Sequence, residues 1–169
     1  ELIMTIDRRI VIDTQSQCLT LYQGNILLRQ FAVSTAKNGT GQLEGTGCTP
    51  LGEHVIGQKI GGGLPPNAVF VARQFTGELY DVQLGQNFPN RDWILGRILW
   101  LEGQINGYNH GVDKTGALVD TKLRYIYIHG TPDTEPMGRP MSHGCVRMRI
   151  DEIVWLFDKV EVGDLVLIQ

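Results

Sequence analysis

The chain has little of several things, and each shortage excludes a class of protein. No apolar run approaches the roughly 20 residues that a membrane-spanning helix requires. Lysine and arginine are scattered along the 169 residues with no basic stripe, and the net charge is only -3, so nucleic acid is a poor partner. Charged residues make up 20% and apolar residues 42%, a balance that excludes disorder and fits one domain with a real core. There is no internal repeat, no low-complexity tract and no composition break that would mark a second domain, so residues 1–169 read as a single unit. The chain opens at Glu1 without an initiator Met, which points to a trimmed or mature form and leaves open whether a signal or anchor preceded it.

Cysteine is also scarce. An odd count of three, Cys18, Cys48 and Cys145, leaves at least one thiol unpaired within the chain. In an oxidising compartment, Cys18–Cys48 is the pairing that leaves Cys145 free; two further unpaired thiols are the plainer alternative.

Helical periodicity is rare, whereas glycine is abundant, with 21 residues. This combination predicts a mainly β fold rich in turns. Arg9–Asp13, Cys18–Tyr22 and Ile26–Val33 read as an N-terminal antiparallel meander. Residues 37–52 read as a long loop closing on Thr49-Pro50-Leu51-Gly52, followed by a short strand over Glu53–Ile56. Gly61-Gly62-Gly63 and Pro65-Pro66 mark another loop. Ala68–Ala72, Ile94–Glu102 and Asp164–Ile168 read as further strands, and residues 103–121 as a mobile loop. Leu123–His129 alternates most clearly, with Ile126 and Ile128 facing one way and Tyr125, Tyr127 and His129 the other. Asp151–Val160 carries an apolar stripe at Ile153, Leu156, Phe157 and Val160, which predicts a helix with Asp151 as its N-cap.

The most informative stretch is Ser142-His143-Gly144-Cys145-Val146-Arg147-Met148, with His129-Gly130-Thr131 upstream. It places one cysteine within reach of two histidines in a segment bent by Pro132, Pro136, Gly138 and Pro140. A thiol is a nucleophile only as the thiolate, and a nearby imidazole is the usual device that generates one. In an extended segment His143, Cys145 and Arg147 share a face. Gly144 removes a side chain between them, so the amides of Gly144 and Cys145 are candidate oxyanion donors, each worth about 3–4 kcal/mol of barrier. His129, fixed at a strand end, is placed to act as general acid and base. Arg147 has two readings, a substrate-carboxylate anchor or a structural hydrogen bonder. A zinc site on His129, His143 and Cys145 uses plausible ligand types but lacks an obvious fourth ligand, for which His54 or His110 would have to be recruited. A papain-like arrangement is disfavoured, because His precedes Cys by only sixteen residues.

His129, twelve intervening residues and then Ser-His-Gly-Cys-Val-Arg resemble the signature of the L,D-transpeptidases, the YkuD-like catalytic domain. The opening strands, Thr49-Pro50-Leu51-Gly52 and Tyr125-Ile126-Tyr127-Ile128-His129-Gly130-Thr131 are similar to family segments, so the resemblance covers about Arg9 to Gln169. It departs from the general signature in a short spacer and in Arg147, where many members have Asn. The resemblance implies a β-sandwich or distorted barrel with one or two short helices. It implies Cys145 as nucleophile, His129 as acid and base, His143 and Gly144 as further catalytic elements, and Ser142, Arg147, Gly130 and Tyr127 around the substrate, with Gly130 where the family often has a small residue whose carbonyl or side chain orients the base. It implies a peptidoglycan enzyme of the periplasm or cell envelope, secreted across the inner membrane and acylated by carbapenems. Such an enzyme would cleave a terminal D-Ala from a tetrapeptide stem through a thioester. It would pass the acyl group to an amine, either in a 3–3 crosslink or on a lipoprotein, or to water as a carboxypeptidase. No cofactor or metal is implied. A catalytically silent envelope-binding domain is the alternative from a different class.

Overall fold

The computed structural model describes residues 7–169, which form a single curled sheet with two short helices. The N-terminal meander is β1 (Arg8–Asp13), β2 (Cys18–Gln23) and β3 (Ile26–Ala32), within a residue or so of the expected bounds. Its alternation is read directly by the packing: Ile10, Ile12, Leu19 and Leu21 are fully buried. The next strands are β4 (Gly52–Ile60), β5 (Ala68–Val71) and β6 (Gln74–Leu79), then helix α1 (Val82–Asn87) and strand β7 (Ile94–Gly103). The chain closes with β8 (Tyr127–Thr131), β9 (Val146–Arg149), helix α2 (Ile150–Lys159) and β10 (Leu165–Ile168).

The strand order is β3-β2-β1-β10-β4-β7-β5-β6, with β8 on β7 and β9 on β8. Thus β10 runs parallel to β1 and antiparallel to β4, joining the meander to the rest of the sheet. Strand β7 is the branch point, pairing with β4, β5 and β8. The sheet is continuous through β7, so the expected sandwich or barrel takes the form of one curled sheet. Helix α2 lies against β7, β8 and β9 and buries Ile153, Leu156 and Phe157. Each such side chain removed from water contributes about 1.5–3 kcal/mol, and with Val146 and Met148 of β9 they form one cluster that fixes the strands of the site.

Several expectations are corrected. The helix N-cap is Arg149, not Asp151; Asp151 sits in the first turn, where its charge favours the positive helix end without a side-chain cap bond. The ladder of β8 starts only at Tyr127, because residues 120–125 make a turn: Arg124 N–H donates to the Asp120 carbonyl, Tyr125 N–H donates to the Lys122 carbonyl, and Tyr125 has φ 58. Residues 103–121 are pinned rather than loose. The buried Asn109 side chain donates to the carbonyls of Leu51 (3.1 Å) and Glu53 (3.0 Å) and accepts from Ile105 N–H (2.8 Å). All three cysteines are free, so Cys18 and Cys48 are not paired. None of the helices among the described residues is long and apolar enough to cross a membrane.

Candidate active site

Parallel pairing of β8 and β9 places His129 beside Arg147 and Ile128 beside Val146, which brings the Ser-His-Gly-Cys segment to the end of β8. Ile128 and Val146 point into the core, and the period-two alternation turns Tyr127 and His129 to the opposite side. Cys145, His129, Tyr127, Ser142, His143 and Arg147 all line one cavity of about 310 Å³, joined there by Arg73, Asp92, Ile94 and Arg124.

The approach to Cys145 is shaped by glycine. Gly144 has φ 137, in the region that disfavours a Cβ, and a Cβ there would stand 3.2 Å from Ile126 Cδ1. The Gly144 carbonyl accepts from the buried Thr49 hydroxyl at 2.8 Å. Ser142 Oγ donates to the Cys145 carbonyl at 2.5 Å and accepts from Gly144 N–H at 3.2 Å. Ser142 is therefore buried scaffolding for the turn. Of the two amides expected as oxyanion donors, that of Gly144 is already engaged, which leaves the Cys145 N–H.

His129 is buried, and its Nδ1 lies 2.7 Å from the Gly130 carbonyl. A carbonyl only accepts, so Nδ1 carries the proton and Nε2 holds the free lone pair. The Gly130 carbonyl thus contacts the imidazole, the orienting contact that the resemblance implies at this position. A Cβ on Gly130 would stand 2.5 Å from the Leu95 carbonyl oxygen, so only glycine lets β8 approach β7 this closely. Burial holds His129 below its ordinary value, opposed by the Gly130 carbonyl.

The Cys145 thiol is partly buried. Its Sγ donates to the Tyr125 carbonyl at 3.5 Å and accepts from Tyr127 N–H at 3.4 Å. Burial pushes it up to about 12, the Asp92 charge adds to the rise, and the Tyr127 amide, Arg147 and Arg124 oppose it. Among the described residues no hydrogen bond joins Sγ to His129, so proton transfer requires the S–H to leave the Tyr125 carbonyl. Such bonds tighten commonly when substrate arrives.

The other expected residues divide. His143 is exposed, its Nδ1 3.5 Å from Asp92. Arg147 is buried, with contacts to Asp92 (3.2 Å), Glu135 (3.5 Å) and the Met141 carbonyl (3.4 Å), bonds of the kind its structural reading describes. Tyr127 accepts a hydrogen bond from Arg73 at 3.0 Å. Asp92, Arg73 and Arg124 were not legible as site residues in the sequence. Arg124 donates to the carbonyls of Gly41, Gln42 and Cys48, tying the loop before β4 to the turn before β8. No three His, Cys, Asp or Glu side chains among the described residues converge as a metal site. Buried His54 bonds to the Gly52 carbonyl and Thr121, and His110 pairs with Asp120, so neither serves as the fourth zinc ligand.

His129 lies in the middle of β8 and not at its end as expected; a curled sheet that presents Ser-His-Gly-Cys beside a strand-borne histidine defines a class, and comparison with known proteins agrees. The sequence model of the YkuD family, described as the L,D-transpeptidase catalytic domain, matches residues 7–168, and the chain belongs to that family. A stretch of 48 residues is 51% identical to the putative L,D-transpeptidase YqjB of Bacillus subtilis strain 168, covering 28% of this chain and 27% of that protein. Another, of 54 residues, is 49% identical to the probable L,D-transpeptidase YbiS of Escherichia coli strain K12, covering 31% of this chain and 18% of that protein. The fold is similar to an L,D-transpeptidase from Mycobacterium smegmatis, with TM-score 0.56 and 19% identity over 97% of this chain and 59% of that one. It is also similar to L,D-transpeptidase 3 of Mycobacterium tuberculosis, with TM-score 0.57 and 14% identity over 97% of this chain and 61% of that one. The match thus spans about a quarter or less of the curated relatives and about three fifths of the solved ones.

Proposed function

We propose that this chain is a peptidoglycan L,D-transpeptidase with Cys145 as its nucleophile. The observation that carries the reading is that Cys145 and His129 line one cavity, with His129 Nδ1–H held by the Gly130 carbonyl so that Nε2 is left to serve as base. Nε2 takes the thiol proton as Sγ attacks the carbonyl before the terminal D-Ala of a tetrapeptide stem. The Cys145 amide steadies the oxyanion. The C–N bond breaks, the imidazolium returns its proton to the D-Ala amine, and a thioester remains. The amine of a second stem then attacks, giving its proton to Nε2, and the thiol is restored as the 3–3 crosslink forms. Water in place of the amine gives a tripeptide, and a lipoprotein lysine gives anchoring to the wall. The site is assigned to the periplasm or cell envelope, where such stems are found. No cofactor takes part in these steps.

Purified protein incubated with muropeptides and analysed by mass spectrometry is expected to yield crosslinked dimer or tripeptide with release of D-Ala. The Cys145→Ala protein is expected to yield neither while remaining folded. Unchanged crosslinking by Cys145→Ala would overturn the assignment. A related L,D-transpeptidase of the same fold has been solved in complex with imipenem, which makes a carbapenem the natural probe of Cys145 acylation.

A further inference from the structure

Three guanidinium groups line the Cys145 cavity: Arg73, Arg124 and Arg147. Two have their donors engaged by the protein. Arg147 faces Asp92 and Glu135, and Arg124 donates to three backbone carbonyls. Arg73 alone has no carboxylate or carbonyl partner among the described residues. Its one hydrogen bond runs from Nη1 to the neutral Tyr127 hydroxyl at 3.0 Å, and the guanidinium stacks over Trp100 (4.9 Å) and Tyr125 (4.6 Å). The stacking fixes the plane of the group and leaves other N–H donors unclaimed.

Its place in the chain is a second, independent observation. Arg73 is at the tip of the β5–β6 hairpin, in the two-residue connection Ala72-Arg73, and both residues have positive φ, 48 and 65. A connection of this kind favours Asn-Gly, because a Cβ is disfavoured at both positions. Backbone strain borne by a long cationic side chain at the mouth of a reactive site suggests a functional role for that side chain.

We infer that Arg73 is the specificity-determining residue that binds a carboxylate of the donor peptide, so that the site selects peptides ending in a free carboxylate over their amides. The inference rests on the reading of the cavity as a peptide site. Bidentate pairing of a guanidinium with a carboxylate is a strong, directional contact, and a neutral carboxamide cannot reproduce it. Arg73 would act here on binding, before and independently of the chemistry at Cys145.

The test uses the Cys145→Ser protein, in which affinity is read without turnover. A synthetic stem tetrapeptide and its C-terminal amide are titrated calorimetrically into this protein and into versions that also carry Arg73→Asn or Arg73→Lys. Asn tolerates positive φ, so the turn is preserved. The carboxylate peptide is expected to bind about 10- to 100-fold more tightly than the amide, the scale of a charge-assisted pair. Arg73→Asn is expected to remove that ratio while leaving amide affinity and thermal midpoint close to the parent, and Arg73→Lys to keep part of it. Equal affinity for the two peptides in the parent, or an undiminished ratio in Arg73→Asn, overturns the inference. So does an equal loss for both peptides, which would mean that Arg73 only latches the hairpin to Trp100 and Tyr125. Carbapenem acylation of the protein with Cys145 intact, measured alongside, reports separately on the nucleophile.

Discussion

The resting protonation of the site can be tested by raising the pH. Burial holds the Cys145 thiol at about 12 against an ordinary 9.0, and the same cause holds His129 below its ordinary value. Both directions favour an uncharged thiol and an uncharged imidazole near neutrality, and in the proposed reaction proton transfer then belongs to the moment of attack. A rise of that size lowers the thiolate fraction at pH 8 by about 1,000-fold. The more basic thiolate is also the better nucleophile, which returns about 15- to 30-fold. Iodoacetamide is thus expected to alkylate Cys145 in the folded protein about 30- to 70-fold more slowly at pH 8 than in the urea-unfolded chain. The folded rate should climb roughly tenfold per pH unit through pH 10, with the same slope in His129→Ala. Peptide mass spectrometry of quenched samples resolves Cys145 from Cys18 and Cys48. A full-rate plateau below pH 7 that disappears in His129→Ala would refute the reasoning, because it would reveal a thiolate–imidazolium pair already formed at rest.

Two further outcomes follow from buried groups away from the sulfur. Burial lowers His54 from 6.5 to about 4, so between those values the unfolded chain takes up a proton that the folded chain refuses. Stability from this group is complete above pH 6.5 and is lost as pH falls towards 4. The loss reaches about 2–3 kcal/mol, and urea midpoints at pH 7.5 and 4.5 should show it in the parent but much reduced in His54→Gln. Gly130→Ala puts a Cβ 2.5 Å from the Leu95 carbonyl oxygen and 3.1 Å from Ile153 Cγ2. It is expected to cost about 1–3 kcal/mol in urea melts and, by displacing the carbonyl that orients His129, to slow carbapenem acylation about 10- to 100-fold. Parent-like acylation in that variant would separate Gly130 from the base.

The parts of the fold that could be read in the sequence are those whose apolar residues alternate, recur helically or run together. β1 and α2 bury alternate or periodic positions, whereas β7 is buried along most of its length and was legible as an apolar run. β6 could not be read that way, because Gln74–Leu79 is largely exposed at the edge of the sheet. α1 has six residues, includes Gly85, buries nothing, and depends on Asp81, whose side chain accepts from Leu84 N–H as the cap. β9 is four residues long and is nearly all buried, so no alternation is visible. At the site, Cys145 and His129 were legible because their chemistry is bound to a short motif. Arg73, Asp92 and Arg124 were not, because they come from separate segments that only the sheet brings together. Residues 103–121 looked mobile because the asparagine that pins them acts through backbone carbonyls more than fifty residues away.

The position of β10 has a consequence for how the chain comes together. Residues 165–168 are the seam between the meander and the remaining strands, meeting β1 on one side and β4 on the other. Until that seam arrives, β1 lacks a neighbour on one edge and the two halves have no shared ladder. On the ribosome the meander of residues 8–32 therefore waits, with an open strand edge, for a tetrapeptide made more than a hundred residues later. Folding of the sheet's centre is consequently late and long-range, and a deletion confined to those four residues would split the sheet through its middle instead of trimming its border.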